Sequence, residues 1–169
     1  MNEEADLQHF TARACELRAA QAKVIDPASI ATAAWVRLKC QFGCDCYDTN
    51  LCCPPRSPTP DQTRKVMDCY RRAILVHCKP GVDVTALVAT LEREVFLAGF
   101  YRAFGLGCGP CTLCEECSLS GCLRPDRARP AMEACGIDVF ATARANGFPL
   151  EVVRDSSCAQ NYYGVVLVD

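Results

Sequence analysis

The sequence predicts an α/β or α+β fold, in which helices flank a small mixed sheet. Three observations favour this class. Segments with helical spacing of apolar residues alternate with short apolar runs of strand length. Half of the 169 residues are hydrophobic and the formal net charge is -2, as in an ordinary globular domain. Ten of the 15 cysteines lie in two loops, 40–60 and 107–129. We therefore expect one domain, 1–169, with two cysteine-rich metal-binding loops.

The N-terminal segment 1–25 is predicted to be helical. Ala, Leu, Arg, Glu and Gln dominate residues 3–24, and their apolar positions recur on one face. Asp26 and Pro27 end this helix. Residues 30–38 are apolar and partly β-branched, which predicts a strand leading into the first cysteine-rich loop.

The segment between the two loops carries clear signals. Thr59, followed by Pro60, is typical of a helix start and predicts a helix over residues 61–72. Residues 73–78, AILVHC, predict a buried strand. Residues 84–99 have the apolar spacing of a helix.

The C-terminal elements surround the second loop. Residues 100–106 predict a strand that leads into the loop. Pro130 then starts a helix that continues to about residue 145. Residues 150–153 and 162–168 predict two closing strands.

The loop 107–129, GCGPCTLCEECSLSGCLRPDRAR, has the spacing C-x2-C-x2-C-x2-C-x4-C. A C-x2-C-x2-C run wraps three corners of a [4Fe–4S] cube, and a later cysteine near a proline is typical of the fourth ligand. The alternatives are a tetrahedral zinc site and uncommitted thiols. Cys108 extends the run and could substitute for a ligand or stay free. The preferred ligands are Cys111, Cys114, Cys117 and Cys122.

Three arginines follow these cysteines: Arg124, Arg127 and Arg129. Positive charge beside an anionic cluster would raise its potential and could hold an anionic ligand, so these residues are candidates for cofactor binding. The alternative is pairing with surface carboxylates, at Asp126, Glu133 and Asp138.

The loop 40–60 carries a second candidate set of three thiolates: Cys40, Cys44 and Cys53. Cys46 and Cys52 are spare or alternative ligands. A fourth ligand could come from Cys135, from Cys158 or from the other loop, and three ligands alone would leave one iron open to substrate. The alternatives are that this loop completes the first site or holds zinc.

Several function classes are disfavoured. No apolar run approaches the roughly 20 residues that span a membrane, and the acidic N-terminus lacks a secretory signal. A cytoplasmic location follows, where clustered cysteines indicate metal ligands rather than disulfides. The charge gives no case for nucleic-acid binding. His9 and His77 lie outside the cysteine clusters, so thiolates should dominate any metal site.

Three strings carry a family resemblance: KCQFGCDCYDTNLCCPPRSPTP at 39–60, GPCTLCEEC at 109–117 and CLRPDRARPAMEACGIDVF at 122–140. With them the chain resembles the cysteine-rich predicted metal-binding proteins of domain-of-unknown-function family 2284, from anaerobic bacteria and archaea. The resemblance covers nearly the whole chain after the first helix and implies no particular reaction. The anaerobic setting favours iron–sulfur over zinc. The resemblance implies metal binding at Cys40, Cys44, Cys53, Cys111, Cys114, Cys117 and Cys122, with Cys46, Cys52 and Cys108 as additions.

The sequence thus predicts an iron–sulfur protein with one or two [4Fe–4S] clusters. The first hypothesis is electron transfer to a partner redox enzyme. The alternative is an enzyme that uses an open iron for substrate reduction or sulfur chemistry. A third is a zinc-stabilised interaction module. The corresponding partners are a redox protein or a small-molecule substrate, without nucleic acid or membrane.

Overall fold

The computed structural model describes residues 3–169, with side chains described from residue 7 onward. Within that range the chain forms helices and strands in a mixed order. The helices are α1 (Glu3–Glu16), α2 (Val36–Gly43), α3 (Pro60–Met67), α4 (Val84–Leu97) and α5 (Val139–Ala145). The strands are β1 (Gln21–Ile25), β2 (Ala73–Cys78), β3 (Phe104–Leu106) and β4 (Tyr162–Leu167). No described helix combines the length and the apolar character needed to cross a bilayer.

The four strands form one sheet in the order β1-β2-β4-β3. Every neighbouring pair is antiparallel, and β2 pairs with β4 so that Ala73 lies opposite Leu167 and His77 opposite Tyr163. The α+β alternative of the predicted fold class is therefore confirmed. The predicted mixed sheet is wrong, because no pair in the described sheet is parallel.

The sheet buries both of its faces. Side chains of a strand alternate between faces, so Ile74 and Val76 of β2 pack under α1 and α4, while Leu75 and His77 point to the opposite side. That opposite side is covered by the segment from Met132 to Leu150, which includes α5. All six residues of β2 are buried, as expected for a central strand. The loop 40–60 adjoins the segment on this second face through the hydrogen bond from Ser57 to Ala134, whereas the loop 107–129 is tied to α4 by the ion pair of Arg129 with Glu92.

Two N-terminal predictions are wrong. The first helix ends at Glu16 rather than continuing to residue 24, and Gln21–Ile25 forms edge strand β1 against β2. A turn with Arg18 at φ 82° separates helix from strand. Residues 30–38 are not a strand either: Thr32 makes a single bridge to Ile137, and the chain then enters α2.

The elements observed after residue 59 agree in part with those that the sequence predicts. Thr59 caps α3 as predicted, although the helix ends at Met67. Strand β2 and helix α4 are confirmed, and β3 occupies only the end of the segment 100–106. The predicted helix over 130–145 is broken by a 3₁₀ turn, Glu133–Cys135, and by Gly136 at φ 76°, so only α5 remains. Residues 150–153 form no strand, whereas the closing strand β4 is confirmed.

Candidate metal centre

Five thiols line one small pocket where the loop 107–129 meets residues 51–52. We call this group the loop site. The thiol of Cys52 contacts that of Cys111 and lies near that of Cys122. Burial raises the pKa of Cys52 to about 12, and the neighbouring thiols contribute a smaller part of this increase. The members of the loop site are Cys52, Cys111, Cys114, Cys117 and Cys122. The four ligands predicted from the cysteine run are thus brought together, and Cys52 joins them from the other loop.

Four further thiols form a second group, the cavity site, whose members are Cys40, Cys44, Cys46 and Cys53. Helix α2 carries Cys40, and Cys44 is its C-terminal cap residue. Cys46 contacts Cys44, and Cys53 lies within electrostatic range of the other three. Burial raises the pKa of Cys40, Cys46 and Cys53, so water alone stabilises these thiolates poorly. A bound metal would supply the missing positive charge.

Hydrogen bonds fix the conformation of the loop 40–60 and join it to the neighbouring elements. Buried Asn50 accepts a hydrogen bond from the backbone N–H of Cys52 at 3.0 Å, which fixes the turn between the two sites. The hydroxyl of Ser57 donates to the carbonyl of Ala134 at 2.6 Å. Arg37 donates to the carbonyl of Pro58 at 2.7 Å. These bonds tie the loop to α2 and to the 3₁₀ turn, so the cavity site stands on a hydrogen-bonded frame.

The two sites meet at adjacent residues. Cys52 belongs to the loop site and Cys53 to the cavity site. Consecutive Cα atoms lie about 3.8 Å apart across a trans peptide bond. The two thiol groups are therefore contiguous in the chain at Cys52 and Cys53.

The three arginines predicted to bind a cofactor have different surroundings. Arg124 lines the loop site and lies 3.8 Å from Asp126, one of its predicted carboxylate partners. Arg127 is exposed. Arg129 is directed away from solvent and forms a bidentate ion pair with Glu92 of α4, at 2.5 and 2.6 Å. That partner was not anticipated, and the role of the three arginines in cofactor binding stays a prediction.

The thiols suggested as distant fourth ligands lie elsewhere. Cys135 is 1 % exposed and packs in the core beneath the sheet, where burial raises its pKa to about 12. Cys158 accepts a hydrogen bond from the backbone N–H of Arg154 within a surface turn. The fourth thiol of the cavity site is instead Cys46, for which the sequence predicts only a spare or alternative role. Its C-x-C spacing from Cys44 was the available signal.

A cavity of about 660 Å³ opens beside the cavity site. Its lining is mainly apolar and aromatic, with the polar side chains Lys39, Glu133, Asp138 and Asn161. Burial raises the pKa of the Glu133 carboxyl. The thiols that border the cavity are Cys40, Cys44, Cys46, Cys53 and Cys108.

His77 and Asn161 form a polar arrangement next to this cavity. The ammonium of Lys79 donates to Oδ1 of Asn161 at 2.8 Å, and Nε2 of His77 lies 2.8 Å from the same oxygen. Because Lys has no acceptor, the contacted atom must be the amide oxygen, and Nε2 of His77 must carry the proton. Nδ1 of His77 is buried without a hydrogen-bond partner among the described residues, and burial lowers the pKa of this imidazole.

The donor set can be tested against the metals that sequence reasoning suggested. Each site offers at least four thiols, the soft ligands that suit zinc and iron–sulfur centres. Among the described residues, no three Cys, His, Asp or Glu side chains are arranged to hold one metal ion. The residue types fit a thiolate-ligated centre, and their role as ligands stays a prediction.

Two convergent groups of thiols on an α+β scaffold have the donor chemistry of a metal-binding protein. Residues 23–168 match the family model described as predicted metal-binding protein (DUF2284). The chain belongs to this family, which confirms the resemblance seen in the cysteine loops. No curated protein and no solved structure matches the chain.

Proposed function

We propose that this protein binds two iron–sulfur clusters and transfers electrons between them and a redox partner. The observation that carries the proposal is the adjacency of Cys52 and Cys53, which places two separate thiol groups side by side. A bound cluster would supply reversible one-electron chemistry at each site. The proposed ligands are Cys111, Cys114, Cys117 and Cys122 in the loop site, and Cys40, Cys44, Cys46 and Cys53 in the cavity site.

The spacing and number of the thiols support clusters over zinc. Cys111, Cys114 and Cys117, followed by Cys122, have the C-x2-C-x2-C run that wraps a [4Fe–4S] cube. Zinc sites usually pair two C-x2-C knuckles across a longer spacer. Cys52 joins these four thiols in one pocket, so the loop site offers five candidate thiolates, one more than a tetrahedral zinc ion uses.

The location of the loop site supports exchange of electrons with a protein partner. Cys122 is exposed at the surface, and the neighbouring Leu123 is 70 % exposed. Leu119 of the same loop is also exposed. Apolar side chains around a redox centre favour a short-lived protein contact, since they lose water when a partner approaches. The cavity site has one exposed thiol, Cys44, and one buried thiol, Cys53.

A second candidate function is favoured by the 660 Å³ cavity. A chamber of this size beside four thiols is characteristic of a small-molecule site, whereas a simple electron carrier needs none. The protein would then be an enzyme that reduces a substrate in the cavity with electrons received through the loop site.

Electron paramagnetic resonance of the anaerobically purified, dithionite-reduced protein tests the proposal. Two reduced clusters this close should interact magnetically and give split signals. Cys114→Ser should remove the loop-site cluster and Cys44→Ser the cavity-site cluster, so each variant should show one unsplit signal. Cys135→Ser is the matched control and should keep the split spectrum. An EPR-silent, colourless protein with stoichiometric zinc would refute the proposal.

A further inference from the structure

We propose that the 660 Å³ cavity binds a neutral, planar, conjugated carbonyl compound of the quinone type. The inference deepens the proposed function, since it names the small molecule that would accept electrons at the cavity site. The binding of this ligand is argued from the cavity itself. Only its reduction depends on the proposed clusters.

The size and lining of the cavity select an apolar body. Cavities of about 300–1,000 Å³ accommodate drug-sized ligands and bury most of their surface. Here the walls come from five parts of the chain, namely α2 with its preceding residue, the loop 40–60, residues 108–110, the segment 131–140 and the C-terminal segment 150–163. Most of the lining side chains are aliphatic or aromatic. A ligand gains free energy there mainly by removing apolar surface from water.

The aromatic residues favour a flat ligand. Trp35, Tyr47, Phe140, Tyr162 and Tyr163 all line the cavity. The ring of Tyr163 is held from behind, because it stacks on His77 with a centroid distance of 5.0 Å and an interplanar angle of 18°. Aromatic side chains make their best contacts with another ring in offset-stacked or edge-to-face geometry. A planar conjugated molecule uses this surface more fully than an aliphatic chain does.

The charges disfavour ionic ligands. The carboxyl groups of Glu133 and Asp138 and several thiols border the cavity, against the single cationic side chain of Lys39. Burial raises the pKa of the Glu133 carboxyl and so favours its neutral form, which leaves Lys39 and Asp138 as one cation and one carboxylate at the cavity wall. Asp138 also accepts the hydrogen bond that caps α5, at 2.9 Å. Neither an anion nor a cation therefore meets a concentration of opposite charge. A neutral molecule needs no such compensation.

Asn161 supplies a donor for a carbonyl oxygen. Its amide oxygen is occupied by Lys79 and His77, both at 2.8 Å, which fixes the orientation of the amide. No acceptor among the described residues hydrogen-bonds to its amide nitrogen, and the residue lines the cavity. The NH₂ group is therefore available to a ligand, and a carbonyl oxygen is its natural acceptor. A quinone presents such an oxygen at the edge of a flat apolar ring.

The reaction balances with an external one-electron reductant. A quinone accepts two electrons and two protons, and each of its carbonyl groups becomes a hydroxyl group. Two molecules of a reduced one-electron carrier would each deliver one electron at the loop site and would themselves be oxidised. The protons come from water at the open side of the cavity.

The single tryptophan of the chain, Trp35, allows a direct binding test because it lines the cavity. We expect 2,3-dimethyl-1,4-naphthoquinone, whose methyl groups block thiol addition to the quinone ring and which is called naphthoquinone below, to quench its fluorescence saturably in the anaerobically purified protein. Val152→Phe narrows the cavity at an exposed lining position and should weaken binding at least tenfold. Val153→Phe is the matched control, because Val153 is also exposed but does not line the cavity; its binding should be unchanged.

Asn161→Asp tests the hydrogen bond. Aspartate keeps an acceptor for Lys79 and His77 but offers the carbonyl group no donor, so we expect affinity for naphthoquinone to fall about tenfold. An analogue with a sulfonate on the fused benzene ring should bind more weakly than the uncharged parent. Linear, unsaturable quenching that is equal in all variants, or tighter binding of the sulfonate, would overturn the inference.

The test separates this inference from the proposed function. Saturable binding to a protein that contains zinc and no iron would refute the clusters and retain the ligand site. Split cluster signals without naphthoquinone binding would refute the ligand site and retain the clusters. If the protein has both the clusters and the ligand site, the reduced protein should convert naphthoquinone to its hydroquinone, and Val152→Phe should slow this conversion. An equal rate of conversion in Val152→Phe would place the reaction outside the cavity.

Discussion

The substitution Arg129→Met should destabilise the protein strongly, because it would leave a charge buried without its partner. The side chains of Arg129 and Glu92 are only 11 % and 13 % exposed, and their ion pair is bidentate. The same guanidinium donates to the backbone carbonyls of Ala128 at 2.7 Å and Pro125 at 3.1 Å. Arg129 therefore anchors the loop 107–129 to helix α4.

The magnitude follows from burial. Removing one partner of a buried ion pair costs about 3–5 kcal/mol, whereas exposed pairs contribute about 0–1 kcal/mol. The carboxylate of Glu92 retains one hydrogen bond, from the backbone N–H of Gly105 at 2.7 Å. We therefore expect Arg129→Met to lower the free energy of unfolding by about 3 kcal/mol. The double variant with Glu92→Gln should recover part of this loss, since no charge is then left unpaired.

Urea unfolding followed by circular dichroism, on samples of matched metal content, measures these changes. Arg127→Met is the matched control, because Arg127 lies in the same loop and is exposed; it should change stability by less than about 0.5 kcal/mol. If Arg129→Met cost no more than Arg127→Met, the ion pair would not anchor the loop. If the double variant were less stable than Arg129→Met alone, the unpaired charge would not be the cause.

Two further predictions concern other parts of the fold. A Cβ atom at Gly136, where φ is +76°, would lie 2.4 Å from Cγ of Pro60, so Gly136→Ala should lower the free energy of unfolding by at least about 2 kcal/mol, measured with urea. Gly147 has the same φ but open space where a Cβ atom would lie, so Gly147→Ala should lower the free energy of unfolding by less. Equal losses in the two variants would contradict the clash. The hydrogen bond from Arg72 lowers the pKa of the Asp169 carboxyl below its unfolded-state pKa, which is about 4. The ion pair therefore stabilises the fold fully above about pH 4, and this stabilisation is lost as the pH falls through the pKa of Asp169 in the folded state. Asp169→Asn should therefore lower the free energy of unfolding at pH 7, and this free energy should then decrease less steeply as the solution is acidified. An unchanged dependence of the unfolding free energy on pH would refute the role of this pair.

The parts of the fold that sequence predicted are those whose signals are local. The Thr59 cap, the apolar run of β2 and the helical spacing of α4 each depend on a few neighbouring residues, and all three are present. Strand β1 shows the opposite case. Its residues, QAKVI, have little local preference for a strand, and pairing with β2 over a long sequence separation decides their conformation.

The same distinction applies to the candidate site. The spacing of the cysteine run predicts that Cys111, Cys114, Cys117 and Cys122 lie together, and these four thiols line one pocket in the structure. The inclusion of Cys52 depends on how the two loops meet, which no spacing within either loop encodes. The cavity depends on contacts still farther apart in sequence, because Val152 reaches it from a predicted strand and Asn161 from the residue before β4. Long-range packing creates these features, so they became visible only in three dimensions.

The central claim is that two neighbouring thiol groups each hold an iron–sulfur cluster. Iron and acid-labile sulfide, determined on anaerobically purified protein, test it most directly. Two [4Fe–4S] clusters predict about eight iron and about eight sulfide per chain, falling to about half in Cys46→Ser as the cavity-site cluster is lost. Stoichiometric zinc with no sulfide, or a full iron content in Cys46→Ser, would contradict the account.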